Sequence, residues 1–170
     1  MLANAQNHTI APMPTSIGLH AKWLNWHANL ITIQRRQCVI AVHDATRYAV
    51  FILCLTKSDF AKLQSHFEDV FINSLLKSVL PHELVETATQ YLAPLMFDTE
   101  CNRSVQGTMN QIAQDIDYGL GYANTAASDI SPYRYSAELS DRPCTIKGLK
   151  DYLWPDKGMA ELLSNLQNKG

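Results

Sequence analysis

Residues 26–55 read WHANLITIQRRQCVIAVHDATRYAVFILCL, and the fold follows from how this stretch divides. The apolar runs Ala28 to Ile33, Cys38 to Val42 and Tyr48 to Leu55 are rich in Ile, Val, Phe and Tyr. Such side chains suit a pleated surface. The polar breaks between them, Gln34 to Gln37 and Asp44 to Arg47, are short enough only for hairpin turns. The stretch is therefore predicted to be a three-stranded antiparallel meander. With a four-residue turn at each break, Gln34 faces Gln37, Asp44 faces Arg47, and His27 lies level with Asp44. Alternation then gives one apolar face, with Ile31, Ile33, Ile40, Val42 and Phe51 on it.

The end of that face carries the chemistry. His27, Asp44 and Arg47 fall in one row, with Asn29 beside them. As a site, Asp44 would fix the tautomer of His27 and Arg47 would hold an anion. As plain structure, the row is a cross-strand Asp44–Arg47 ion pair with a histidine at a sheet end. A slip of one residue would bring His43 and Tyr48 into the row instead, so His43 stands as an alternative to His27.

Working outward, residues 1–22 are polar and proline-containing, and they read as an irregular N-terminal arm before one domain over 23–170. Trp23 and Trp26 are expected to pack rather than to bind. After Leu55 the period changes: Phe60, Leu63, Phe67, Val70, Phe71 and Leu75 recur at helical steps, predicting a helix over 57–80. Thr56 with Asp59 forms a capping-box pattern at its start. Pro81 opens a second helix, with Leu84, Val85 and Ala88 inward, and Pro94 stops it. Leu95 to Phe97 is predicted to be a short extra strand. Ser104 is expected to cap a third helix to about residue 119. Arg103, Gln106, Asn110 and Gln114 line up on one side of that helix, an amide- and Arg-rich face suited to binding.

Residues 122–145 show no apolar period and read as a loop, with Tyr133, Arg134, Tyr135 and Arg142 compatible with a flap. A last helix is predicted from Pro155 to Leu166.

The chain has 170 residues with a formal net charge of −2, enough for one domain with a real core and against a general nucleic-acid binder. No apolar run reaches the roughly 18 residues of a membrane span. The four cysteines form no CxxC or Cys/His ligand spacing, so no metal is expected, and reduced thiols in the cytoplasm are. GxGxxG, Walker, GxSxG and HExxH patterns are missing, and no cofactor is expected. His43-Asp44 lacks the further helical His and Asp that a metal phosphohydrolase needs.

The segments WHANLITIQRRQC, HDATRYAVFI and NRSVQGTMNQ resemble an uncharacterised bacterial family of unknown function. Its members carry Trp-x-Ala-Asn-Leu followed by Arg-Arg, then a hairpin with Asn/His-Asp, then [DN]-Arg-Ser-Val…Asn. The resemblance covers roughly residues 23–118 and implies a bacterial setting, but no activity. The polar positions it matches are Asn29, Arg35, Arg36, Asp44, Arg103, Ser104 and Asn110.

These readings predict an α+β domain, a small antiparallel meander packed by several helices. The leading function is a binding module for an anionic partner, either nucleic acid or a phosphorylated ligand. Arginines and amides bind phosphate and base edges without doing acid–base chemistry. The ligand-binding candidates are Asn29, Arg35, Arg36, Arg47, Arg103, Ser104 and Asn110. By analogy alone, such small bacterial proteins include mobile-element and phage-defence accessories. One alternative is a metal-independent nuclease or phosphotransfer hydrolase, with His27 or His43 as base, Asp44 beside it and arginines on the phosphate. Another is a protein-binding accessory. A basic strip along Arg35, Arg36 and Arg103 would favour nucleic acid, and a pocket joining Asn29, His27 and Arg103 an enzyme. Arg103 opens a helix, where a cation opposes the dipole, so it is expected to have a partner: Asp98, Glu100 or a bound phosphate.

Overall fold

A computed structural model describes residues 7–10, 23–99, 101–146, 148 and 150–168; for 7–10, 54 and 98 it describes the backbone alone. The architecture is α+β. The predicted meander forms from β2 (Trp26–Ile33), β3 (Arg36–His43) and β4 (Ala49–Leu55). Two further strands, β1 (Asn7–Ile10) and β5 (Phe97–Asp98), extend it to a five-stranded sheet of order β4-β3-β2-β1-β5, antiparallel at every pairing. The N-terminal segment was expected to be irregular. Residues 7–10 instead supply an inner strand, with β2 on one side and the short β5 on the other. Four residues just ahead of Pro12 and Pro14 are too short a signal to read as a strand alone.

The β3–β4 register is the expected one, with Val42 opposite Ala49 and Ile40 opposite Phe51, up to an irregularity between Gln37 and Val39. The β2–β3 register is not. The turn has the expected length but sits one residue earlier: Ile33 faces Arg36 in place of Gln34 facing Gln37, and His27 faces Val42, not Asp44. Both turn residues, Gln34 (φ 48°) and Arg35 (φ 66°), are left-handed, as tight hairpins require and as Asn-Gly usually supplies. Tertiary bonds offset the strain: the Gln34 amide donates to the Thr125 carbonyl (2.9 Å) and accepts from the Ala127 N–H (2.8 Å). The error is a shift of two residues, so every side chain keeps its predicted face.

Both faces are covered. One buries Ile33, Cys38, Ile40, Val42, Ala49 and Phe51 beneath α3 (Arg103–Ala123), through Val105, Met109, Ile116 and Leu120. The other buries Trp26, Val39, Ala41, Tyr48, Val50 and Ile52 against α1 (Leu63–Lys77), α2 (His82–Tyr91) and α5 (Pro155–Gln167). Trp23 and Trp26 pack as expected. Trp26 meets Phe67 and Phe71 edge-on, and the Trp23 indole N–H donates to the Tyr91 carbonyl at 3.0 Å. The helix predicted over 57–80 opens as a 3-10 turn at Asp59–Lys62 before α1, and only one half of the capping box forms: the Thr56 N–H donates to the Asp59 carboxylate at 2.7 Å, while the Thr56 hydroxyl donates to that carboxylate (2.6 Å) rather than accepting from the Asp59 N–H.

Residues 132–140, expected to be loop, form α4 (Pro132–Ser140). It seals the outer edge of β4. The Ser136 hydroxyl accepts from the Phe51 N–H (2.9 Å) and that of Ser140 from the Ala49 N–H (3.0 Å). Serines four apart on a helix thus satisfy backbone groups two apart on an edge strand, which would otherwise stand open to pairing.

Candidate anion site beside helix α3

The site is built where the β3–β4 loop meets the start of α3. Asn102, not Ser104, caps that helix; its side chain accepts from the N–H groups of Ser104 (3.0 Å) and Val105 (3.4 Å). The first turn is therefore already satisfied, and its free N–H groups are not the anion site that a helix start offers by default. The backbone N–H of Asn102 donates to Nε2 of His27 at 2.7 Å. Since Nε2 accepts, the His27 proton sits on Nδ1, which donates to the Asp44 carboxylate at 2.5 Å. His27 and Asp44 thus meet although they are not strand partners, because Asp44 turns back across the sheet end. The dyad ties loop to helix cap. The Nε2 lone pair a general base needs is engaged by Asn102.

His43 is fully buried on the opposite face. Its Nδ1 accepts from the Thr46 N–H (3.2 Å) and Nε2 donates to the Trp23 carbonyl (3.1 Å), which makes it part of the packing of the β3–β4 loop.

Arg47 is the centre of the site. It is only 4% exposed, and it is left-handed at φ 61°, where glycine or asparagine is the usual choice. Its guanidinium donates to the Asp44 carbonyl and to the Ser104 hydroxyl, the latter at 3.1 Å. Its Nε has no partner among the described residues. The expected ion pair with the Asp44 carboxylate is replaced by a bond to that residue's main chain, because the carboxylate holds His27. Burial pushes the Arg47 pKa below its ordinary value, opposed by the charges of Asp44 and Cys144.

Arg47 lines a cavity of about 450 Å³, within the usual range of roughly 300–1,000 Å³ for small-molecule sites. One wall is a stripe along α3: Ser104, Gly107, Thr108, Gln111 and Asp115. The other is the segment after α4, with Arg142, Pro143, Cys144 and Thr145. Ile112, Leu139 and Pro155 supply apolar surface. Burial also raises the pKa of the Cys144 thiol, and Arg47 opposes that rise.

Of the sequence candidates, the structure joins Arg47 and Ser104 at the cavity and His27 and Asp44 directly behind it. Asn29 is buried in β2, and its side-chain oxygen has no partner among the described residues. Arg103 and Asn110 are exposed on a neighbouring stripe of α3 that does not line the cavity. Of the partners expected for Arg103, Glu100 and the Asp98 side chain lie outside the described residues. Arg35 and Arg36 are exposed at the far end of the sheet, so no single strip joins them to Arg103. Sequence reading missed Thr108, Gln111, Asp115, Cys144 and Thr145, and saw Arg142 only as part of a flap. The signal for the α3 wall was a polar stripe one helical step from the one singled out.

Among the described residues no helix is long and apolar enough to cross a membrane, and no cluster of three or more His, Cys, Asp or Glu could hold a metal. A family model described as "Domain of unknown function (DUF6933)" matches residues 3–158, and the chain belongs to that family. No curated protein and no solved structure matches it.

Proposed function

We propose that this protein is a binding module for a small phosphorylated ligand, held in the cavity between α3 and the segment after α4. The observation that carries this reading is Arg47. A buried guanidinium is expensive without a partner charge, and proteins normally meet it with a carboxylate. Here the Asp44 carboxylate, whose charge reaches Arg47, is bonded to His27 instead, the salt bridges among the described residues include none to Arg47, and the side chain borders a cavity. Its left-handed backbone adds to the cost, and strain of that kind collects at ligand sites. A phosphate supplies the missing charge and accepts bidentate donation from a guanidinium.

Arg142 lines the same cavity from the opposite wall, is exposed, and makes no hydrogen bond to a described residue. Two guanidiniums and the hydroxyls of Ser104 and Thr145 line the cavity as donors for a phosphate. A small ligand is favoured over nucleic acid because the arginines at the hairpin tip lie at the other end of the sheet. The hydrolase alternative has less support, since both ring nitrogens of His27 are engaged and His43 sits in the opposite core.

Thermal melts at fixed ionic strength test the reading. Phosphate and simple phosphate esters should raise the melting temperature of the parent with increasing concentration, and sodium chloride should not; a ligand at one hundred times its Kd stabilises by about 2.7 kcal/mol. Arg142→Ala should fold normally and lose the response. No phosphate-specific rise in the parent would overturn the proposal.

A further inference from the structure

Asp44 and Arg47 lie three residues apart in the loop between β3 and β4, and the guanidinium already reaches the Asp44 main chain. That main chain is held at both of its polar groups. Its N–H donates to the Asn25 carbonyl at 2.9 Å, and its carbonyl accepts from Arg47. Only the carboxylate has a choice of partner. Pairing with Arg47 would be the better use of both charges for stability alone, because a buried cation without a partner charge costs more than a paired one. The carboxylate bonds the His27 ring instead, at 2.5 Å.

The helix cap decides this competition. The Asn102 N–H donates to Nε2 of His27 at 2.7 Å, so a neutral His27 carries its proton on Nδ1, facing Asp44. The ring is only 6% exposed, and pairing of β2 with β3 fixes the backbone that bears it. A donor held in place and largely out of water binds a carboxylate well. The five residues close a circuit. Asn102 fixes the His27 tautomer, and His27 holds the Asp44 carboxylate. Asp44 then gives Arg47 only its carbonyl, and Arg47 donates to Ser104 in the turn that Asn102 caps. His27 itself does not line the cavity.

We infer that His27 is a positioning residue for the anion site: it holds the Asp44 carboxylate off Arg47 and so leaves the guanidinium to the ligand. This rests on the phosphate-binding reading above and adds the residue that keeps the site open. Without His27 the freed carboxylate becomes a tethered competitor. Phosphate then meets only the molecules in which Arg47 is unpaired, and its apparent Kd rises by the inverse of that fraction.

Isothermal titration with inorganic phosphate tests this on the parent, His27→Phe, Asp44→Asn and the double variant. His27→Phe fills the place of the ring but offers Asp44 no donor. It should bind phosphate about tenfold or more weakly than the parent, as when roughly nine molecules in ten have Arg47 paired. Asp44→Asn still accepts from Nδ1 of His27 and removes a like charge, so it should bind more tightly than the parent. In the double variant no carboxylate is left to compete, and affinity should return close to that of Asp44→Asn. If His27 served only to brace the helix cap, the second substitution would restore nothing. Where His27→Phe does not fold, two measurements remain. Asp44→Asn that binds more weakly than the parent overturns the inference. So does a proton on Nε2 in the imaging of the parent's imidazole nitrogens by NMR near neutral pH, where Nδ1 alone should carry one. Parent-like binding by His27→Phe, or a loss that Asp44→Asn does not rescue, sinks the role of His27 and leaves the phosphate site standing. No binding by the parent sinks both.

Discussion

At the tip of the β2–β3 hairpin, Arg35 and Arg36 are exposed. At the opposite end of the same meander Arg47 is buried and bonded to Asp44 and Ser104. From His27 to Ile33 the strand spans about 20 Å at 3.3–3.4 Å per residue, so the two ends are separate environments. In sequence they look alike: an arginine in a short polar break between β-strands. Arg35 and Arg47 even share the left-handed backbone. Neighbours make the difference. Ser104 of α3 bonds Arg47 and the helix cap Asn102 bonds His27, whereas Thr125 and Ala127, beyond the far end of α3, clasp Gln34 and leave Arg35 outside. A charge matters to binding where the fold has already removed its water and part of its freedom, and a solvated one at a hairpin tip has neither advantage.

The largest expected effect tests the buried end. Arg47→Met keeps most of the volume, removes the charge and leaves the Asp44 carbonyl and Ser104 hydroxyl without their donor. Urea denaturation should show a loss of about 1–3 kcal/mol, and calorimetry no phosphate binding. Arg35→Met should change neither. Phosphate binding that survives Arg47→Met would erase the distinction between the two ends. Arg142→Ala sharpens it, because this arginine is exposed like Arg35 yet faces the cavity. Its loss should weaken phosphate by about 1.5–3 kcal/mol, the scale of a charged hydrogen bond, with stability within about 0.5 kcal/mol of the parent.

The sequence disclosed one end better than the other. The meander, its faces and the pairing of β3 with β4 were legible, since apolar period and turn length determine them; His27 and Asp44 do meet, but through a turn back across the sheet end and not through the register that placed them level. The position of the β2–β3 turn was hidden because Gln-Arg is a poor left-handed pair, held by partners about ninety residues away in the chain. Helix α4 was hidden for a related reason. Its buried face, Ser136, Ala137, Leu139 and Ser140, works partly by hydrogen bonding to a strand edge, so its apolar period is weak. The outer wall of the cavity follows α4 and was lost with it. Arg47 was legible as a polar residue at a sheet end, but its burial comes from α3, and no local pattern encodes that.

Gln34→Ala probes the clasp at the exposed end. It removes one exposed and one partly buried hydrogen bond, so the loss should be about 1 kcal/mol. Melts should show it, and phosphate affinity should be unchanged, because the tip lies outside the cavity. A loss of affinity would mean that α3 transmits the state of its far end to the site.

The smallest effect comes from one substitution made at both ends. Glycine enters the left-handed region without the steric penalty of a β-carbon, which is roughly 1–2 kcal/mol for other residues. Against that stands the greater freedom of a glycine-containing unfolded chain, worth about 0.4–1 kcal/mol. At Arg35 the side chain is exposed and forms no salt bridge among the described residues, so the backbone term dominates. Arg35→Gly should stabilise the fold by a few tenths to about 1 kcal/mol. The same relief is available at Arg47 (φ 61°), but there glycine removes the donors to Asp44 and Ser104 and leaves their space empty. Arg47→Gly should therefore destabilise. Because the backbone conformations match, the difference between the two measured changes isolates what the Arg47 side chain adds to the fold before any ligand arrives. If both substitutions stabilise equally, Arg47 contributes nothing to stability. Its burial would then be explained by the ligand alone, and the phosphate melts of the parent would have to carry the whole case.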